Sequence, residues 1–243
     1  MTGSEEGWHA VALSGGVEAG SSSGTRLFGE EIVIWRNAAG VPQIWEDRCP
    51  HRGMRLSFGF VRGDRIACLY HGWEFGAEGR CLRIPAHPRI EVPPTITVWR
   101  HGCREAMGMI FARLRDATGE PSLPTEVAGL ALFPVRSLYV DCPADILAEA
   151  LAASAPEPFD RTLAEAGLAA RRDGTMAILG RRKGERAEYL FGGVQAIADD
   201  RAAVHLVLGV KSGEYRGAGQ RHYARFAEAL RDRIEAKTKA VAA

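Results

Sequence analysis

Four side chains stand at a spacing that can hold metal: Cys49 and His51, then Cys68 and His71, reading Cys-x-His-x16-Cys-x2-His. Two thiolates and two imidazoles are thus offered by two short stretches, each ending in glycine: Cys49-Pro-His-Arg-Gly53 and Cys68-Leu-Tyr-His-Gly72. Two chemistries can use such a set. Tetrahedral zinc accepts two cysteines and two histidines, but its usual order places both cysteines before both histidines. A two-iron, two-sulfide cluster can instead take two cysteines on one iron and two histidines on the other. Here each stretch carries one ligand of each kind, so each iron would be gripped from both loops, and the order favours this reading. Replacing two thiolates by neutral imidazoles leaves the oxidised cluster less negative. The potential then rises to about −150 to +300 mV, and the chemistry is one-electron transfer.

The other candidates are weaker. Cys81, Cys103 and Cys142 have no histidine at ligand spacing and read as inert thiols. His9, His87, His101, His205 and His222 are scattered and read as ordinary histidines. No Gly-x-Gly-x-x-Gly lies between a strand and a helix, and Gly217-Ala-Gly219 is too short to count, so the sequence carries no nucleotide or flavin fingerprint. Electrons must come from another protein.

The elements that position the two stretches read as short strands. Glu31 to Arg36 and Val41 to Glu46 are rich in Ile, Val and Trp, with Asn37 to Gly40 as the turn between them. Arg65 to Tyr70, Cys81 to Ile84 and Met109 to Leu114 repeat the habit, while Ser14 to Gly24 reads as an exposed loop. Asp116 to Pro134, with prolines at 121, 124 and 134, reads as a linker. Beyond it Pro143 can open a helix with Ile146, Leu147 and Leu151 on one face, stopped by Pro156 and Pro158. Strand-like runs follow at Met176 to Leu179, Tyr189 to Ile197 and Ala203 to Val210. A closing helix from Gln220 is marked by Tyr223, Phe226, Leu230 and Ile234.

The wider motif resembles the large (alpha) subunits of Rieske non-haem iron oxygenases. The residues that carry it are Cys49-Pro-His-Arg-Gly53, Leu56-Ser-x-Gly59, Val61-x-Gly63-Asp64, Cys68-x-Tyr70-His71-Gly72-Trp73-x-Phe75, Gly79-x-Cys81 and Ile84-Pro85. The likeness covers roughly residues 8 to 114. It implies an α+β chain: an all-β Rieske 2Fe-2S domain over residues 1–118, a linker over 119–133, and a reduced helix-grip (START-like) domain over 134–243. It further implies that Cys49 and Cys68 hold the buried iron and His51 and His71 the outer one. Trp73 and Tyr70 would wall off the cluster, a role compatible with plain core packing.

By the same resemblance the second domain should carry a mononuclear iron held by two histidines and a carboxylate, opened by an Asp-x2-His-x4-His pattern. The matching stretch is Glu149 to Arg161, which places Ala153, Pro156 and Arg161 at the three key positions, and Ala229 at the place of the last carboxylate. Alanine and proline offer no side-chain lone pair, and arginine is a cation, so the site reads as abandoned. His205 and His222 with Asp160 or Glu157 could rebuild it only if the fold brought them together. The segment from Pro134 onward is also short for such a domain, which implies a reduced or filled pocket.

The resulting expectation is a Rieske electron-transfer protein, not catalytic alone, acting as the electron-delivering subunit of a heteromeric oxygenase. Its partners would be a catalytic subunit with an intact mononuclear iron and an NAD(P)H-dependent flavin or ferredoxin reductase. A free-standing Rieske ferredoxin-like carrier, and a complete oxygenase with unconventional ligands, are the alternatives; a regulatory role is least favoured. Lysine plus arginine number 31 against 30 aspartate plus glutamate, which points away from nucleic acid and anionic membranes. The start lacks a signal-like order, and no stretch reaches the ~18 apolar residues of a membrane span. With five cysteines, an odd number, a cytoplasmic location is expected.

Overall fold

The computed structural model describes residues 7–115, 118–211, 215 and 217–242, with backbone alone for 241–242. The reading of the extreme amino terminus falls largely on residues 1–6, outside the described residues.

Three small antiparallel sheets build the first half. One orders β1 (His9–Leu13), β10 (Met109–Arg113) and β9 (Gly102–Ala106). The second orders β2 (Ser22–Leu27), β3 (Glu30–Arg36) and β4 (Pro42–Glu46). The third orders β5 (Phe60–Arg62), β6 (Arg65–Ala67), β7 (Glu74–Gly76) and β8 (Cys81–Arg83). Strand side chains alternate between faces, so the unbroken apolar run Ile32 to Trp35 means that β3 is buried on both. Ile32 and Ile34 pack with Val11 and Ile110. Val33 and Trp35 face the other way, into a core that contains Cys49 and Cys68.

The second half is one five-stranded antiparallel sheet in the order β11 (Ala131–Val140), β15 (Arg201–Val210), β14 (Arg186–Ala198), β13 (Met176–Lys183), β12 (Leu168–Asp173). Two helices, α1 (Ala144–Ala152) and α2 (Ala218–Ala242), cover one face. Tyr223, Ala227, Leu230 and Ile234 recur at helical spacing and meet Leu190, Val204, Leu206 and Leu208 there. The opposite face packs on the first half, where Phe191 and Val207 meet Ala10, Met109 and Phe111. Because both faces are covered, β15 is buried from Ala202 to Val210. A pair of glycines lets the layers close on β14. A Cβ on Gly192 would stand 2.4 Å from Leu151, and one on Gly193 2.5 Å from Ala10.

Several expectations are corrected. Residues 22–24 are not exposed loop: they open β2, paired Ser22 to Trp35 and Gly24 to Val33. Gly24 serves close packing, since a Cβ there would come within 2.8 Å of the Ser57 hydroxyl, and the Ser22 hydroxyl donates to Ser57 O at 3.2 Å. Ile146 is exposed, and the buried face of α1 is Leu147, Ala148 and Leu151. β11 starts at Ala131, so its first residues occupy part of the segment 119–133 read as linker. Pro134 is tolerated within it because β11 is an edge strand whose register shifts between Pro134 and Arg136. The strand β12, Leu-Ala-Ala-Arg-Arg-Asp, was not foreseen from its composition. Among the described residues no helix is long and apolar enough to cross a membrane.

A two-loop candidate metal centre

The loop from Cys49 leaves β4, and the loop from Cys68 joins β6 to β7. The two close in the same way. Cys49 N–H donates to Met54 O (2.8 Å) and Gly53 N–H donates back to Cys49 O (2.9 Å). Cys68 N–H donates to Trp73 O (2.9 Å) and Gly72 N–H to Cys68 O (3.0 Å). The returning glycines have φ of +72° and +69°, a conformation that only glycine adopts cheaply. A Cβ on Gly72 would in addition press on Pro85 at 3.1 Å. The first loop is anchored from outside by buried Asp47, whose carboxylate accepts from Ser57 N–H (2.7 Å) and the Ser57 hydroxyl (2.6 Å). Sequence reasoning passed over that aspartate, although its place two residues before Cys49 was a signal.

The four predicted ligands come together as two pairs. Cys49 and Cys68 are buried in one apolar core with Trp35, Trp45 and Phe75, and neither is in a disulfide. Burial raises the Cys49 thiol above its ordinary range, and the neighbouring Cys68 adds to this against the backbone amides of His51 and Arg52. A thiolate there needs a metal cation beside it. The two imidazoles lie further out, ring centres 4.6 Å apart. Burial, with His71 and Arg52 nearby, lowers the His51 imidazole.

Trp73 lies flat on His51, with ring centres 4.3 Å apart and planes 5° apart. Tyr70 sits 3.8 Å from the His71 ring but is 60% exposed, which corrects its reading as a core residue; it covers the histidine from outside.

The set suits a two-iron cluster. His51 Nδ1 is buried without a hydrogen-bond partner, an arrangement that costs about 1–3 kcal/mol unless something is bound. Among the described residues no three His, Cys, Asp or Glu side chains converge on a single ion position. A buried sulfur pair and an outer imidazole pair offer the two kinds of donor that a two-iron cluster of this ligation takes. Cys81 joins the same core but turns its thiol toward Arg83 O at 3.6 Å. Cys142 is buried elsewhere, against α1.

In the second half most of the positions read as former iron ligands face solvent. Ala153 lies exposed at the end of α1, Arg161 is exposed, and Ala229 is on the solvent face of α2; Pro156 alone is buried. The stretch after α1 is held instead by Glu188, which is 2% exposed. Its carboxylate accepts from the amides of Phe159 (2.8 Å) and Asp160 (3.1 Å) and from the Tyr223 hydroxyl. Only about 10 Å³ remains between Pro156, Leu179, Glu188, Leu190 and Tyr223, no more than one water's space.

His205 and His222 are not brought together as ligands. His205 is buried between the Ser137 hydroxyl (2.7 Å) and Gln195 (2.8 Å), and burial lowers it to about 4. Gln195 in turn donates to Thr25 Oγ1 and Arg26 O, tying β14 to β2. His222 is hydrogen-bonded to Glu157 O at 2.7 Å.

Comparison with known proteins agrees with this geometry. Residues 7–94 match the family model of the Rieske [2Fe-2S] domain. The chain is 41% identical over 96 residues to the oxidoreductase NdmD of Pseudomonas putida, covering 39% of this chain and 16% of that protein. It is 35% identical over 121 residues to the oxygenase subunit of 3-chlorobenzoate-3,4-dioxygenase from Comamonas testosteroni, covering 49% of this chain and 28% of that one. The match thus spans well under half the length of either relative. Apo dicamba monooxygenase superposes with a TM-score of 0.80 at 15% identity, over 99% of this chain and 87% of that one, a likeness of fold.

Proposed function

We propose that this chain, which carries a Rieske [2Fe-2S] domain and is related to the large subunits of Rieske non-haem iron oxygenases, delivers electrons to a partner subunit that keeps the mononuclear iron. When bound, a cluster of this ligation supplies one-electron transfer at a raised potential. Cys49 and Cys68 would hold one iron from the core, and His51 and His71 the other toward the surface. Trp73 fixes the plane of His51 and keeps water from that side. Exposed His71, covered only by Tyr70, is the outlet toward an acceptor. Electrons reach the chain from a separate NAD(P)H-dependent flavin or ferredoxin reductase.

The observation that carries the non-catalytic reading is the packing of the second half. Ala153, Pro156, Arg161 and Ala229 bring no metal-binding side chain, and Glu188 and Tyr223 pack beside Pro156 with only about 10 Å³ between them. Turnover tests it. With a reductase and NADH, the chain alone should become reduced but consume no oxygen in step with any substrate, and adding its catalytic partner should restore coupled turnover. Substrate-dependent oxygen uptake by the chain alone would overturn the proposal in favour of a complete oxygenase. The free-standing carrier is favoured by one feature, the openness of the cluster edge, where Leu69 is 50% and Tyr70 60% exposed. Rapid exchange with several acceptors and no stable complex would single it out.

A further inference from the structure

Arginines crowd the part of the chain that carries the two ligand loops. From Glu46 to Arg100 there are nine arginines, no lysine and six acidic residues, in a chain whose formal net charge is +1. Four of those acids are engaged. Asp47 is buried and taken up by the Ser57 amide and hydroxyl. Glu74, also buried, is clasped by Arg65 and Arg83 at once, so one carboxylate serves two guanidiniums. Asp64 stands beside Arg65, and Glu78 is tied to Arg100. Arg48, Arg52, Arg62, Arg80 and Arg89 are exposed and make no ion pair among the described residues, and the acids in the same state are two, Glu46 and Glu91. The surplus on this surface is therefore positive.

Three of the five unpaired arginines belong to the frame of the cluster site. Arg52 follows His51 in the first loop. Arg48 lies along the same loop, where a Cβ on Gly53 would stand 3.3 Å from its Nε. Arg89 is in a stretch folded by His87 N–H to Ile84 O (2.9 Å) and Ile90 N–H to His87 O (3.0 Å), which meets the second loop where Pro85 abuts Gly72. The same segments present apolar side chains to solvent: Leu69 is 50%, Ile90 53% and Tyr70 60% exposed, and Tyr70 lies on His71.

A small apolar contact with cations around it suits a short-lived electron-transfer encounter. The limited dry area lets the partners part quickly, while charge brings them together fast and in one orientation. All the cations are guanidiniums, which grip a carboxylate through two parallel N–H bonds. The matching surface is acidic.

We propose that this face docks an acidic electron-transfer protein, whose carboxylates meet Arg48, Arg52 and Arg89 while Leu69 and Tyr70 close on its redox centre. The inference rests on the electron-delivery reading and adds the charge of the donor's face. One electron passes per encounter: the partner's centre is oxidised and the cluster reduced.

Stopped-flow kinetics of the full, iron-loaded chain test it with charged one-electron probes. Hexacyanoferrate(III), an anion, and tris(phenanthroline)cobalt(III), a cation, each take one electron from the reduced cluster. Between about 10 and 150 mM salt the screening length shrinks from about 30 Å to about 8 Å. Over that range the anion's rate should fall about threefold or more, and the cation's should not fall. A formal total of +1 predicts little salt dependence, so a steep slope reports the local charge. Arg52→Gln combined with Arg89→Gln should flatten the slope, Arg89→Gln alone should give part of the effect, and Arg182→Gln, exposed on β13, should leave it unchanged. Reduction by plant-type ferredoxin, an acidic protein, should lose rate with salt in the same way. Iron content and visible absorbance of each variant separate lost steering from a lost cluster. A level or rising rate with hexacyanoferrate, an unchanged slope in the double variant, or ferredoxin reduction insensitive to salt would each overturn the proposal. None of these rates depends on whether the chain alone consumes oxygen, so the non-catalytic reading fails by a separate result.

Discussion

Cys68 and Gly72 make different demands on the same loop, one chemical and one conformational. Cys68→Ser removes a thiolate from the buried pair and should drop bound iron and sulfide to near zero, whereas Cys142→Ser, in a separate core, should leave both unchanged; metal analysis of the two variants decides it. Gly72→Ala forces a side chain to φ +69° against Pro85, which should cost about 1–2 kcal/mol and loosen cluster retention. A second pair shows the influence of pH. Arg36 donates to both oxygens of Glu105 and holds that carboxyl below its ordinary range. A lowered folded-state value means stability that is present above the unfolded value of 4.5 and lost as pH falls through the lower one. Thermal melts from neutral pH downward should therefore show a steeper acid decline in the natural chain than in Glu105→Gln. The four proposed ligands could be picked out because each loop carries its own Cys and His within a few residues. The stacking of Trp73 on His51 was not, because it depends on how the two loops meet in space.

At the scale of elements, β14 carries the contact between the halves. Gly193→Val would drive a branched side chain into Ala10 and Met109, and such overpacking typically costs about 1–3 kcal/mol; denaturant unfolding would measure it. Gln195→Ala should cost about as much by another route, leaving buried His205 Nε2 unpaired and breaking the link to Thr25 and Arg26. Strands rich in Ile, Val and Trp, such as β3 and β15, were readable from pattern. Two others were not. β2 is written in serine and glycine because it packs against Ser57, and β12 is an edge strand exposed along nearly all its length, where charged residues are expected and no alternation appears. Ile146 misled for a related reason: α1 is short, and its buried face is set by Leu147 and Leu151.

For the whole molecule, the proposed electron route and the packing around Glu188 are consistent with one division of labour. The proposed cluster end brings together a core-buried sulfur pair and an outer imidazole pair beside an exposed edge. The far end has a five-stranded sheet and two helices, and Glu188, Tyr223 and Pro156 leave only about 10 Å³ between them. The measurement that bears most directly on this account is iron and acid-labile sulfide per chain, taken on protein produced together with the proposed catalytic subunit and then separated from it. Two irons and two sulfides per chain are predicted, both lost together in Cys68→Ser. A third iron in this chain, or one zinc without sulfide, would contradict it.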